Sequence, residues 1–162
     1  MIHRFSYPCY FLFILIPFFS CEDNVVFEKK IKLSSGKWYY QDTLEYKWEI
    51  KDTSREYKLL MLVEHDTEYP YQNIYFKIHT HFPRDSTKEQ VLSVDLADHT
   101  GKWYGKCYGS RCKVEFTLQE KVLFAQSGNY QIQMEQYMRT DSVAHIRSIA
   151  LRLLDTGTLQ EI

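Results

Sequence analysis

Beyond residue 24 the chain alternates apolar and polar residues with a period of two, and the alternation recurs along most of its length. In "LEYKWEI", Leu44, Tyr46, Trp48 and Ile50 fall on one side and Glu45, Lys47 and Glu49 on the other, as a strand with one buried face requires. "CKVEFTL" sets Val114, Phe116 and Leu118 against Lys113, Glu115 and Thr117. "YQIQMEQYM" sets Tyr130, Ile132, Met134 and Met138 against Gln131, Gln133 and Glu135. Residues 25–33, 57–65, 73–82 and 90–96 read as further strands. Turn chemistry stands at Asp52-Thr53-Ser54, Pro83-Arg84-Asp85-Ser86 and Ser127-Gly128-Asn129. "SVAHIRSIALRLL" carries two periods at once. Val143, Ile146, Ala150 and Leu154 have helical spacing behind a Ser142 cap, while Ile149, Leu151 and Leu153 alternate with Ser148, Ala150 and Arg152. The strand-rich surroundings favour a strand there. Strands at this regular spacing predict an all-β chain: one antiparallel β-sandwich over residues 25–162, Ig-like or jelly-roll-like.

The first twenty residues break the pattern. Arg4 precedes an apolar run from Cys9 to Phe19, interrupted by Pro17 and ended by Ser20, Cys21, Glu22 and Asp23. The run falls short of the ~20 apolar residues a membrane-crossing helix needs, and its shape is that of an export signal. Neither Phe18-Phe19-Ser20 nor Phe19-Ser20-Cys21 offers the pair of small residues that ordinary signal cleavage uses. The segment resembles a bacterial lipoprotein signal. That resemblance implies removal of residues 1–20, palmitate-class acyl chains on Cys21, and residues 21–24 as a lipidated tether. Each buried methylene of such chains contributes about 0.8 kcal/mol, so two or three chains hold where one does not.

Removing residues 1–20 leaves 142 of 162, enough for one domain with a substantial core. Arg4 is the only Lys or Arg in that segment and all 21 acids follow it, so the mature balance is 19 cations against 21 anions. That near-neutral balance argues against nucleic acid as a partner. Apolar residues at 44% and aromatics at 16% argue for a folded, strand-rich domain rather than a disordered tether.

With Cys9 removed and Cys21 acylated, Cys107 and Cys112 remain, in "KCYGSRC". In an oxidising compartment two thiols this close, across a glycine-containing turn, are expected to pair, contributing about 2 kcal/mol. A metal site would need further ligands, and a redox pair more often has C-x-x-C spacing. "SGKWYY" at Ser35 is echoed by "TGKWYG" at Thr100, which reads better as a glycine turn leading into a core-plugging Trp than as a repeated ligand site.

Catalytic constellations are thin. The chain has no G-x-S-x-G or H-E-x-x-H, and "SSGKW" lacks the upstream glycine and following hydroxyl of a phosphate loop. His79 and His81 share one side of a strand with Lys77, opposite Ile74, Phe76 and Ile78, so they are expected in water rather than around a metal. "VEHDTEYPYQN" gathers His65, Asp66 and Glu68 near Tyr69 and Tyr71 without the ligand order of a calcium loop. It reads as a shaped loop. Exposed Tyr69 and Tyr71 could make a protein contact or stack on a sugar there, with packing beneath the loop as the alternative.

Several stretches resemble one family: "IKDTSREYKLLMLVEHDTEYPYQNIYFKI", "LADHTGKWYGK", "GNYQIQMEQYMR" and "IALRLL". Tyr69-Pro70-Tyr71 with Asn73, Gly101-Lys102-Trp103 with Gly105-Lys106, and Glu135-Gln136 with Met138-Arg139 carry the likeness, which is to the gliding-motility lipoprotein GldH family of Bacteroidetes. The resemblance implies a small envelope lipoprotein without catalytic residues or cofactor beyond the lipid on Cys21. Its partners would be envelope proteins of the gliding and type IX secretion apparatus. The resemblance leaves the membrane open, and the outer membrane is preferred to the inner. Tyr69, Tyr71 and Arg139 are the expected partner contacts, and a carbohydrate-binding surface lipoprotein is the alternative function.

Overall fold

The computed structural model describes residues 24–160, so Cys21 and the expected signal segment lie outside the described residues. Regular structure among those residues is all strand: β1 (Asn24–Lys32), β2 (Lys37–Tyr39), β3 (Leu44–Ile50), β4 (Arg55–Asp66), β5 (Asn73–His81), β6 (Thr87–Asp95), β7 (Lys106–Tyr108), β8 (Arg111–Leu123), β9 (Gly128–Gln136), β10 (Ser142–Ala144) and β11 (Ile146–Leu159). One sheet has the order β1-β11-β4-β8-β7 and a second β3-β9-β5-β6, while β10 and β2 pair as a short ribbon. Every pairing is antiparallel.

The alternation settles which faces meet. Leu44, Tyr46, Trp48 and Ile50 of β3, Ile74, Phe76 and Ile78 of β5, and Tyr130, Ile132 and Met134 of β9 form the inner face of the four-stranded sheet. Met61, Val63, Val114, Ile149, Leu151 and Leu153 answer from the other sheet. Aromatic rings interleave: Phe27 and Trp48 centroids are 5.3 Å apart, and Phe124 and Tyr130 meet edge to face at 4.7 Å. Tyr46 crosses the dry interior, its hydroxyl donating to the Ile149 carbonyl at 3.0 Å. Burial pushes that phenol's pKa up, which keeps it a neutral donor.

Residues 142–154 are strand, not helix, broken once where His145 takes φ 67° between β10 and β11. Ser148 and Ala150 are buried as well as Ile149 and Leu151, because β11 lies inside its sheet and long charged side chains cover its outer face. Arg152 there donates to Glu28 at 2.9 Å, and Lys30 donates to Glu64 at 2.7 Å. Leu60, paired with Arg152, and Leu62, paired with Ala150, are buried on this face, as neighbouring long side chains with their heads near water allow.

The two "GKW" stretches do different work. Gly36, at φ 64°, turns the chain into Trp38, which is fully buried, whereas Gly101, at φ 84°, leads to Trp103 at the rim of the core. A disulfide joins Cys107 to Cys112 across the β7–β8 hairpin, with Cα atoms 4.0 Å apart.

Antiparallel pairing gives the sandwich two ends. Asn24 pairs with Asp155, and Asp155 with Tyr57, so β1 begins beside the turns at 51–54, 82–86 and 124–127. At the opposite end lie the connections 67–72, 96–105 and 137–141 and the β7–β8 hairpin. The end at which the chain enters is the tether end, and the opposite one the far end.

Two outcomes test this packing. Tyr46→Phe removes the hydroxyl that donates to the buried Ile149 carbonyl at little cost in volume, and is expected to lower unfolding free energy by about 1 kcal/mol in urea titration. Replacing both Cys107 and Cys112 with Ala is expected to cost up to about 2 kcal/mol, a loss that reductant reproduces in the parent protein and not in the variant.

Candidate interaction site

The far end is built from short-range polar bonds that shape its loops. After β4, Thr67 N–H donates to Ser110 O at 2.8 Å, and Tyr69 N–H to Asp66 O at 3.1 Å. Tyr69, expected at the surface, is only 3% exposed, and its hydroxyl donates to Asn73 O at 2.9 Å. It therefore packs beneath the loop, its ring 5.6 Å from that of Tyr71 in an edge contact. Tyr71 is exposed, held in place by Tyr69.

The 96–105 connection is organised by one carboxylate. Asp98 Oδ1 accepts from the Thr100 hydroxyl at 2.6 Å and from the N–H groups of Thr100 and Lys102 at 2.8 and 3.0 Å. The Thr100 bond is the largest cause of a lowered Asp98 pKa. Gly105 follows at φ 74°, where a Cβ would strike the Lys113 carbonyl, so this backbone can lie against β8 only because the residue is glycine. Trp103 is thereby brought 4.6 Å, centroid to centroid, from His65.

His65 is fully buried. Its Nδ1 lies 2.9 Å from the Asp66 carbonyl, an acceptor only, so Nδ1 carries the proton and Nε2 is a bare acceptor with no partner among the described residues. Burial holds the imidazole pKa below its ordinary value, so the ring is neutral. Asp66 beside it accepts from Arg147 Nε at 2.8 Å and faces His145 Nδ1 at 3.4 Å. The Arg147 bond depresses the Asp66 pKa. For Glu64, burial alone would raise the pKa, but Lys30 and Ser148, both bonded to it, outweigh burial and hold it low. Both acids are ionised and occupied. A general acid working near neutral pH needs the opposite environment.

Over this base runs a groove of about 900 Å³ on the outer face of the five-stranded sheet, flanked by Tyr104, Lys106, Tyr108, Arg111 and Lys113. The Tyr108 side chain stands 78% exposed on the disulfide-closed hairpin, and Tyr104 is also exposed. Lys106, Arg111 and Lys113 make no ion pair within 4 Å among the described residues. The groove thus sets cations outside any ion pair and two exposed phenols above the carboxylates of Glu64 and Glu115, a mixed surface suited to a partner carrying carboxylates and apolar groups.

Arg139 stands exposed at φ 57° in the 137–141 connection, beside Tyr75, Val91, Tyr137 and Met138 on the four-stranded sheet. It shares the far end with Tyr71 but lines a different depression. Its connection is anchored by buried Gln136, which accepts from Met138 N–H and donates to Thr140 O, both at 2.9 Å. His79 and His81 lie on the outer face of the four-stranded sheet. His79 is near Glu89 and Glu135, and His81 bonds Thr87 and Gln133.

The groove residues were not among the sequence-derived candidates. A signal for them exists, since residues 102–113 contain four cations, two tyrosines and no acid. What the sequence does not display is that Lys30, Glu64 and Arg147, distant along the chain, complete the same surface.

Residues 25–153 match a family model described as GldH lipoprotein. The chain is 24% identical over 129 residues to a gliding motility lipoprotein GldH homolog of Christiangramia forsetii, covering 80% of this chain and 78% of that one. To the gliding motility lipoprotein GldH of Flavobacterium johnsoniae it is 23% identical over 128 residues, covering 79% of each. Among solved structures, an infectious bursal disease virus VP2 subviral particle overlaps 84% of this chain at 14% identity and a TM-score of 0.40. This chain spans 31% of that one, and a likeness of this degree says nothing of function. The family match runs from the start of β1 into β11 and takes in Tyr71, Trp103, Gly105 and Arg139; the chain belongs to the GldH lipoprotein family.

Proposed function

We propose that this protein is a non-enzymatic docking component of the gliding-motility machinery, held at the outer membrane by acyl chains on Cys21. Its far end meets envelope proteins of the gliding and type IX secretion apparatus. The observation that carries the reading is the opposition of the two ends: the chain enters the sandwich at Asn24, while Tyr71, Tyr104, Tyr108 and Arg139 stand exposed at the opposite end. A lipid tether confines such a domain to the membrane plane and raises the effective concentration of its neighbours, so modest contacts suffice. Tyrosine suits that work, giving large contact area for few rotatable bonds. The ionised, engaged state of Glu64 and Asp66 agrees with a role in binding rather than proton transfer.

A carbohydrate ligand is the second reading, favoured by Tyr104 and Tyr108 flanking one groove, where exposed rings can stack on sugars. The two readings part on the bound species, protein or glycan.

Replacement of Tyr71, Tyr108 and Arg139 by Ala, in the protein expressed in its own envelope, is the test. The triple variant is expected to keep its membrane fraction and to lose recovery of crosslinked protein neighbours by tenfold or more, as removal of interface tyrosines does. Unchanged crosslinks overturn the docking site. Crosslinks unchanged together with glycan-array binding lost in the variant transfer the site to the second reading.

A further inference from the structure

The exposed large apolar side chains of the described residues are sorted by type between the two ends. At the far end they are all tyrosine: Tyr39, Tyr40, Tyr71, Tyr75, Tyr104, Tyr108 and Tyr137. At the tether end they are Val25, Val26, Phe82, Leu123 and Leu159, none with a polar atom in its side chain. Only Val91, midway along β6, stands apart. The five come from the start of β1, the close of β5, β8 and β11, and a bulge at Val26, so four strands deliver apolar tips to one end. Val25 is 50% exposed and Leu159 63%, an exposure that is unfavourable in water for aliphatic side chains and that a lipid surface would relieve.

The length of the tether says what lies against them. From Cys21 to Asn24 are three residue steps, which reach at most about 10 Å. The polar zone of a bilayer leaflet is roughly 5–8 Å deep. Acyl chains on Cys21 therefore keep the tether end within about one headgroup layer of the membrane. The charges there are mixed: Asp52 and Asp155 are engaged by Arg55 and Glu56 by Lys121, while Asp85 is exposed with no ion pair among the described residues and Glu22 and Asp23 add two acids to the tether. Arg84 and Lys88 at the same end are exposed and make no ion pair among the described residues, leaving them available to lipid phosphates.

We propose that the tether end is a second, non-covalent membrane contact, in which Val25, Val26, Phe82, Leu123 and Leu159 enter the headgroup–acyl boundary of a phospholipid bilayer. The contact rests on the anchored reading above and adds an orientation to it. The strands stand away from the membrane, and the tyrosine end is presented roughly 30 Å out, about the length of nine strand residues. Lipid on Cys21 alone fixes one point of the domain and leaves its orientation open; an inserted end fixes the orientation.

The full-length protein, matured and lipidated, carries one free thiol when Leu123→Cys is introduced, since Cys107 and Cys112 are paired and Cys21 is acylated. An environment-sensitive fluorophore on that thiol is read in vesicles of phosphatidylethanolamine and phosphatidylglycerol with and without doxyl-labelled lipid. Leu159→Cys serves as a second tether-end probe and Tyr108→Cys as the far-end control. Quenching is expected to be at least fivefold stronger at positions 123 and 159 than at 108, and to vanish at 159 when Phe82 and Leu123 are both changed to Lys. Equal or absent quenching at the three positions overturns the inference, as does a blue shift at 123 that grows with protein concentration without vesicles, which marks a second copy on this face. Mass spectrometry of the N-terminal peptide reads lipidation separately. Acylated Cys21 without quenching removes the inserted end and leaves the anchor. Quenching by added vesicles without acylation removes the anchor and leaves the inserted end.

Discussion

The direction in which β1 joins its sheet is the constraint on which the rest of the molecule depends. The strand could add to β11 in either sense as far as its backbone donors are concerned, but the native register pairs Asn24 with Asp155 and Lys32 with Ser148. That pairing aligns Phe27 and Ile31 with the core side and sends Glu28 and Lys30 to Arg152 and Glu64 on the outer face. A shift of one residue would exchange those faces, placing Phe27 in water and Lys30 against the core, which is why the register admits no slip. The entry point of the chain is thus decided by core packing, and the position of everything else relative to the N-terminal segment follows from it.

Between the two ends the core acts as a rigid spacer. Interdigitated aromatic and aliphatic side chains resist shear, and Tyr46 ties the sheets through a hydrogen bond that water cannot compete for. The far-end loops gain definition from the same economy: Asp98 collects three donors, Gln136 bridges its own connection, and Tyr69 fills the space beneath Tyr71. His65 is the exception. Its Nε2, without a partner among the described residues, is a buried acceptor, and such a group costs about 1–3 kcal/mol. The ring contacts with Trp103 and Tyr69 and the bond to Asp66 O offset that cost, so the position selects for a flat ring with one donor facing the backbone.

How much of this was legible in the sequence follows from the range over which each signal acts. Strands with one wet face, such as β3 and β9, display their burial as alternation, and those stretches read correctly to within a residue or two. β2, β7 and β10 are three residues each, too short for a period, and they exist because neighbours offer an edge. Residues 142–154 carried both periods because an interior strand is buried on both faces and its outer side needs only small or long-stemmed residues. Tyr69 was misplaced for a related reason: Tyr69-Pro70-Tyr71 does not display which ring turns inward, and that is decided by His65 and Trp103, the latter more than thirty residues away. The groove was invisible as a unit, although its cation-rich hairpin was not.

The separation of side-chain chemistry between the ends has a physical rationale that unites the anchored fold with its surface. An exposed tyrosine tolerates water, because its hydroxyl remains hydrogen-bonded and its ring is available when a partner arrives. It suits a surface that is covered only part of the time. Valine and leucine have no such second state, and gain only while they are covered. An end covered for the life of the molecule can therefore be aliphatic without risking association with stray partners, and under the proposed anchoring a lipid on a three-residue tether would supply that permanent cover. The free end has to stay soluble between encounters, and there the chain places tyrosines beside lysine and arginine, which discourage self-association while leaving contact area exposed. Partition of the surface into an always-covered and a sometimes-covered end is the arrangement expected of a domain whose one fixed neighbour is a membrane and whose other neighbours come and go.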